Sequence, residues 1–263
     1  MSVRALAATA ALLAPSCALL GPAEEPDTGF VVVGGASLPE FEGADAQRGV
    51  PFVVSRVQRG GRAFELEGLA ARLDVVGDPV VRAGPALGFN LPRTDDADSD
   101  VVALLPERNV AVNAGLFAGF VVPVEGLREG SLTGTLTALG DVSGVHDGAT
   151  ATADVELFFA ASYMLRFGIG LNATLASDEY MASYFSVSGA DAATTGLSRF
   201  DASAGLKDVG AELYSILSFS ESLGIFSRVA YTRLLGDAAD SPIVALEGDD
   251  EQLFFGAGLF WRF

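Results

Sequence analysis

What the sequence lacks narrows the reading first. It has one cysteine, Cys17, so no internal disulfide can staple the chain. It has one histidine, His146. One histidine and one cysteine are too few for a zinc site built from nitrogen and sulfur ligands. Lysine occurs once, at Lys207, and the net charge is −18, with 34 acidic against 16 basic side chains. A chain so negative repels phosphate backbones, which argues against a nucleic-acid partner. Beyond the first residues no stretch supplies the roughly 18 continuous apolar residues that a membrane helix requires. Such a chain can enter a bilayer only as a closed barrel, in which every backbone polar group finds a partner on a neighbouring strand.

What is present fits that option. Half of the 263 residues are hydrophobic and 31 are glycine. That composition favours many short strands over helices or disorder. The start, MSVRALAATAALLAPSCALLGPAEE, carries one cation, Arg4, then an apolar stretch from Ala5 to Leu13, then small residues. This is the layout of an export signal, with cleavage after Ala18 or Ala23. Residues 1–23 are therefore expected as a cleaved signal peptide and residues 24–263 as one outer-membrane barrel. Pro15-Ser16 before Cys17 is a poor lipobox, so a lipid anchor is disfavoured.

Alternation with a period of two runs through the chain, as lipid-facing and lumen-facing positions require. Val110, Val112, Ala114, Leu116, Ala118, Phe120 and Val122 form one face of a segment, with Asn109, Asn113, Gly115 and Gly119 on the other. Ser131, Thr133, Thr135 and Thr137 oppose Leu132, Leu136 and Ala138. Val155, Leu157, Phe159, Ala161, Tyr163 and Leu165 oppose Glu156 and Arg166, and Phe167 to Leu175 continues the pattern. The chain ends on LFFGAGLFWRF, where Phe255, Ala257, Leu259, Trp261 and Phe263 share a face. Apolar residues at every second position back from a terminal aromatic resemble the C-terminal signal that the barrel-assembly machinery reads, with Leu259, Trp261 and Phe263 as its core. A half-buried strand of a soluble sandwich shares this period and is the competing reading.

Counting such segments gives about eleven: 29–36, 49–57, 62–76, 80–91, 109–122, 130–140, 150–165, 167–177, 207–219, 222–235 and 251–263. Single-chain bacterial barrels have even numbers, with both termini on the periplasmic side. The odd segment is 62–76, whose apolar phase flips at Gly68. A tight turn there gives twelve strands and a bulge gives ten. The fold expected is all-β, a closed antiparallel transmembrane barrel of twelve strands, with ten as the alternative. Short connections at 58–61, 77–79, 123–130 and 219–222 then face the periplasm. Long acid-rich ones at 38–48, 92–108, 141–149, 177–201 and 236–250 face outward.

Candidate chemistry is sparse. His146 has Ser143 and Asp147 nearby in sequence, but a catalytic triad requires spatial geometry, and a solvated loop histidine is the simpler expectation. The acids Asp95, Asp96, Asp98 and Asp100, and Asp249, Asp250 and Glu251, lack EF-hand spacing and read as solvated loops. No catalytic, cofactor or metal residues are assigned. In GDAADSPIV, 236–244, the residues Gly236, Asp237, Asp240, Ser241 and Pro242 suggest an ordered loop, a structural cap before a binding loop.

The stretch TRLLGDAADSPIV (Thr232 to Val244), followed by the aromatic C-terminus, resembles the MipA/OmpV family of outer-membrane proteins. A second block agrees, SDEYMASYFSVSGADAATTGL, with Tyr180-Met181, Tyr184-Phe185 and Gly196 at the family positions and Ser186 where the family has glycine. RAGPALGF (Arg82 to Phe89) also fits, while Phe41-Glu42-Gly43-Ala44 is a looser match to Tyr-x-Gly-Ser. The resemblance implies a barrel without catalytic activity. One member is described as a scaffold between a murein lytic transglycosylase and a peptidoglycan synthase, and others as surface antigens or adhesion factors. The expected partners are outer-membrane lipid, the assembly machinery, and a murein hydrolase and synthase. The leading expectation is thus a non-enzymatic scaffold or surface-interaction barrel. A small-solute channel is the alternative, with lumen charges at Arg82, Glu156, Arg166 and Arg262 and the 177–201 loop as plug. An outer-membrane lipid hydrolase is a distant third.

Overall fold

The computed structural model describes residues 28–263. The expected signal peptide, residues 1–23, lies outside the described residues. The strands are β1 (Thr28–Pro39), β2 (Gln47–Arg59), β3 (Arg62–Glu67), β4 (Ala70–Asp74), β5 (Val81–Asn90), β6 (Ala111–Pro123), β7 (Ser131–Asp141), β8 (Ala149–Ala160), β9 (Leu165–Ala176), β10 (Gly205–Ser218), β11 (Leu223–Leu234) and β12 (Glu251–Arg262). Each pairs antiparallel with its sequence neighbours, and β12 returns to β1, closing a twelve-stranded barrel.

The phase flip at Gly68 is a turn: Gly68 takes φ +54° and Glu67 pairs with Ala70 across it. Two segments need correction. The expected strand 150–165 ends at Ala160, because residues 161–164 form the β8–β9 turn. There the Ser162 hydroxyl accepts the N–H groups of Met164 and Leu165 at 3.2 and 3.1 Å. Ala161 and Tyr163 thus leave the alternating face, and the Arg128 guanidinium stacks 3.4 Å over the Tyr163 ring. At its other end, β6 starts at Ala111 rather than at residue 109. The first outward loop shrinks to residues 40–46. The loops at 177–201 and 236–250 contain short helices.

The exterior inverts the pattern of a soluble protein. Leu116 and Leu259 are 67% and 68% exposed, and Leu136, Leu171 and Leu213 also stand free on the outer face. Side chains so placed are in their natural solvent only in lipid. Near the short turns the exposed aromatics Phe64, Phe120, Phe219, Trp261 and Phe263 form a girdle at that rim. The protein is an outer-membrane β-barrel.

The lumen is filled. On one side Phe30 stacks on Phe260 with centroids 5.4 Å apart, and Phe226 stacks between Phe52 and Tyr214 at 6.0 and 5.8 Å. Tyr214 lies over Gly168, its partner across β9–β10, and donates from its hydroxyl to Glu156 at 2.8 Å. The other side is ionic. Glu65 binds Arg56 at 3.5 Å and also binds Arg82, which reaches Asp74 at 3.5 Å. Arg228 bridges Glu67 and Glu212. Of the expected lumen charges, Arg82 and Glu156 belong to this interior, while Arg166 is held near the short-turn rim by Glu129.

Closure depends on the β1–β12 seam. Gly29 and Phe263 exchange both backbone hydrogen bonds, at 3.0 and 2.9 Å. Farther along, a Cβ on Gly34 would overlap the carbonyl oxygen of Ala257. Gly34→Val should therefore force the closing strands apart, costing about 3 kcal/mol. Urea unfolding of the refolded barrel, followed by Trp261 fluorescence, should show that loss, whereas Gly49→Val, where a Cβ meets nothing, should be near neutral.

Candidate functional site

The outward loops build a cap from local signals. The Ser177 side chain accepts the Tyr180 N–H and starts helix α1 (Asp178–Phe185), with Asp178 and Glu179 in its first turn. Tyr180, Met181, Tyr184 and Phe185 fall on one face and are buried. Helix α2 (Gly189–Thr195) opens with a capping box of Ser188 and Asp191 and ends at Gly196, which takes φ +80°. Gly236, at φ +52°, admits α3 (Asp237–Asp240), and Ser241 caps α4 (Pro242–Glu247) with Pro242 in its first turn.

These pieces interlock. The Ser241 hydroxyl donates to the Phe185 carbonyl at 2.6 Å, joining α4 to α1. Asp237 accepts the Ser203 N–H at 2.8 Å. Met181, Tyr184 and Phe185 share a buried cluster with Leu234, Ala238 and Val244. A second cluster joins Phe41, Val102, Val187 and Ile243 from four loops. Gln252 of β12 ties the first loop down, accepting the Gly43 N–H and donating to the Ala44 carbonyl, both at 3.2 Å. The residues singled out in sequence therefore meet in space, apart from Gly196 and Asp240, which stand in solvent, and the C-terminal Leu259, Trp261 and Phe263, which line the opposite end.

Beneath α1 runs a directed hydrogen-bond chain. Gly148 N–H donates to His146 Nδ1 at 3.0 Å, so the ring proton sits on Nε2, which meets Asn113 Oδ1 at 2.9 Å. Asn113 Nδ2 donates to Asn90 Oδ1 at 2.6 Å, and Asn90 Nδ2 donates to the Tyr180 hydroxyl at 2.7 Å. Tyr180 donates to Glu42 at 2.8 Å, and Glu42 and Asp208 both bind Lys207. Lys207 and Asp208 are adjacent yet both buried, because the β9–β10 register shifts between Leu206 and Asp208. Burial, then the Glu42 charge, raises the Tyr180 pKa, so the phenol stays a donor.

His146 thus corrects the expectation of a solvated loop residue: it is buried, with its ring 4.9 Å from Tyr180 and 5.6 Å from Tyr184. Ser143 does not face it. The Ser143 hydroxyl donates to Asp141 at 2.6 Å instead. Sequence reasoning missed Asn90, Asn113, Glu42 and Asp208 as site residues. Only Lys207, a lone lysine in an acidic chain, carried a signal. Among the described residues no group of three or more His, Cys, Asp or Glu side chains is arranged to hold a metal ion. The chain of bonds borders a cavity of about 100 Å³ in the outer lumen, reached by Asn90, Asn113, Tyr180, Lys207 and Asp208.

Two outcomes follow. Ser241→Ala leaves the buried Phe185 carbonyl without its donor and uncaps α4, a loss of about 1–3 kcal/mol. Hydrogen exchange should show it as faster exchange in α1 and α4 with unchanged strands. Burial lowers the His146 pKa below its ordinary 6.5. A neutral His146 in the folded cap means that its contribution is complete above pH 6.5 and is lost as pH falls below it, when the opened cap takes up the proton. Protection of the α1 amides, taken relative to their intrinsic exchange rate at each pH, should hold above about pH 6.5 and fall as the pH is lowered towards about 5, and His146→Gln should abolish that fall.

Comparison with known proteins adds the following. The profile of the family described as MltA-interacting protein MipA matches residues 31–263. Among curated proteins none matches in sequence. Solved structures similar in fold include an outer membrane channel from Pseudomonas putida F1, at 12% identity and TM-score 0.47, covering 94% of this chain and 99% of that one. OmpT of Vibrio cholerae aligns at 8% identity and TM-score 0.41, covering 92% and 100%. OccK11 (OpdR) of Pseudomonas aeruginosa aligns at 9% identity and TM-score 0.32, covering 92% and 97%.

Proposed function

This chain belongs to the MipA family, and on that premise we propose that it is a non-enzymatic barrel that works by contact with other proteins, a murein hydrolase of the MltA kind first among them. The observation that carries the reading is the blocked lumen. The stacked Phe30–Phe260 and Phe52–Phe226–Tyr214 rings meet the Glu65–Arg82–Asp74 ion pairs, and α1 roofs the space above them. A barrel packed in this way offers its partners rims and loops, not a passage. A hydrolase anchored beneath the membrane would meet the short-turn rim, where Arg59, Arg62, Leu127, Arg128 and Tyr163 are exposed. The mixture of arginine, tyrosine and leucine is of the kind enriched in protein interfaces.

The test has two arms. Purified barrel in planar bilayers should give no conductance steps, and stepwise opening by the unmodified protein would support the small-solute channel instead. Tagged barrel should enrich MltA-type hydrolase or a peptidoglycan synthase over an unrelated barrel of equal abundance, and Arg128→Glu with Tyr163→Ala should lower that enrichment by about tenfold, two rim contacts' worth. No enrichment would remove the scaffold reading.

A further inference from the structure

The wall of the barrel has a window. The β3–β4 hairpin is far shorter than its neighbours, and its highest pair with β2 is Val54 with Glu67, beyond which Gly68 N–H donates to the Val53 carbonyl at 2.9 Å. Residues 47–52 of β2 therefore pair with β1 alone. On the other flank β4 pairs with β5 only through Ala70–Arg72 against Gly88–Ala86, leaving Phe89 and Asn90 paired with β6 alone. Backbone groups alternate sides along a strand, so the residue two positions from Val53 would aim its N–H into the gap. That residue is Pro51, which has none. Leu91 is buried in the same cluster as Val50 and bounds the opening above.

The window faces lipid. Its outward flanks are Pro51 and Val53 on one side and Leu87 and Phe89 on the other. Behind it lies the cavity of about 100 Å³, which Leu69, Ala70 and Phe89 join from the window side. Its interior is polar, with Asn172, Thr174 and Thr232 among the lining residues. The Thr232 hydroxyl is buried without a hydrogen-bond partner, though Thr232 is only 2% exposed. The lining charges are already matched: Lys207 is held by Glu42 and Asp208, and Glu67 by Arg228. An apolar portal, a polar interior with matched charges and an unpartnered hydroxyl at Thr232, and room for about three water-sized groups fit one kind of occupant.

We propose that this cavity binds the neutral, glycerol-sized head of a single-chain lipid that enters sideways through the window, its acyl chain lying along Leu69 and Phe89. The proposal goes beyond the protein-contact role and does not depend on it. The probe is a monoacylglycerol with a diazirine in its acyl chain, added to the full barrel in phosphatidylcholine nanodiscs. Photolabel should concentrate on Leu69, Ala70 and Phe89 over Leu171 and Leu213 on the far wall. Unlabelled monooleoylglycerol should compete better than oleate or oleylamine, which share the chain but carry charge. Ala70→Trp, which plugs the portal, should abolish the selective labelling. Thr232→Val keeps the shape and should weaken competition about fivefold, one neutral hydrogen bond's worth. Heat-modifiable migration certifies folding of each variant. Labelling spread evenly around the belt, equal or stronger competition by either charged analogue, or no effect of Thr232→Val would each overturn the proposal.

Discussion

Everything in this molecule follows from one requirement: inside hydrocarbon a peptide group has no water to bond, so each strand must find two neighbours. Twelve strands meet it by returning β12 to β1, and the seam is made with glycine where the backbones come closest. The outer surface is then free to be apolar at every second position, and the inner one is forced to accept whatever the alternate positions supply. Here those positions carry aromatics on one side and ion pairs on the other, and the two halves meet to fill the interior.

Most of the wall was legible because this requirement writes itself into the sequence as a period of two. The flip at Gly68 was legible as a turn or a bulge, and the even strand number of such barrels left twelve or ten; the left-handed Gly68 makes it the turn. The β8–β9 turn was read several residues late: Ala161 and Tyr163 preserve the period through residues that are not strand, and only the Ser162 hydroxyl betrays the reversal. The helices of the cap were hidden for a different reason. They are short, and what defines them is capping chemistry and contacts between distant loops, not periodicity.

The candidate site was legible only at its surface. The Tyr180–Phe185 and Gly236–Pro242 blocks announce order, and they do pack together. The hydrogen-bond chain beneath them joins Asn113 to Asn90 and Tyr180 to Glu42 across as many as 138 positions of sequence. Alternation says that a side chain points inward. It does not say whom it meets there, which depends on shear and on the bulge at Leu206. His146 was misjudged on the same ground, since a loop residue is solvated only if nothing folds over it.

The link from Gln252 to the loop at Gly43 and Ala44 has a bearing on biogenesis. Its two ends belong to the first hairpin and the final strand, so the roof cannot settle until synthesis and insertion have both finished. A half-inserted chain has an unlatched mouth, and only a completed one is sealed. Sealing the outer mouth is thus among the last steps of the barrel's own assembly.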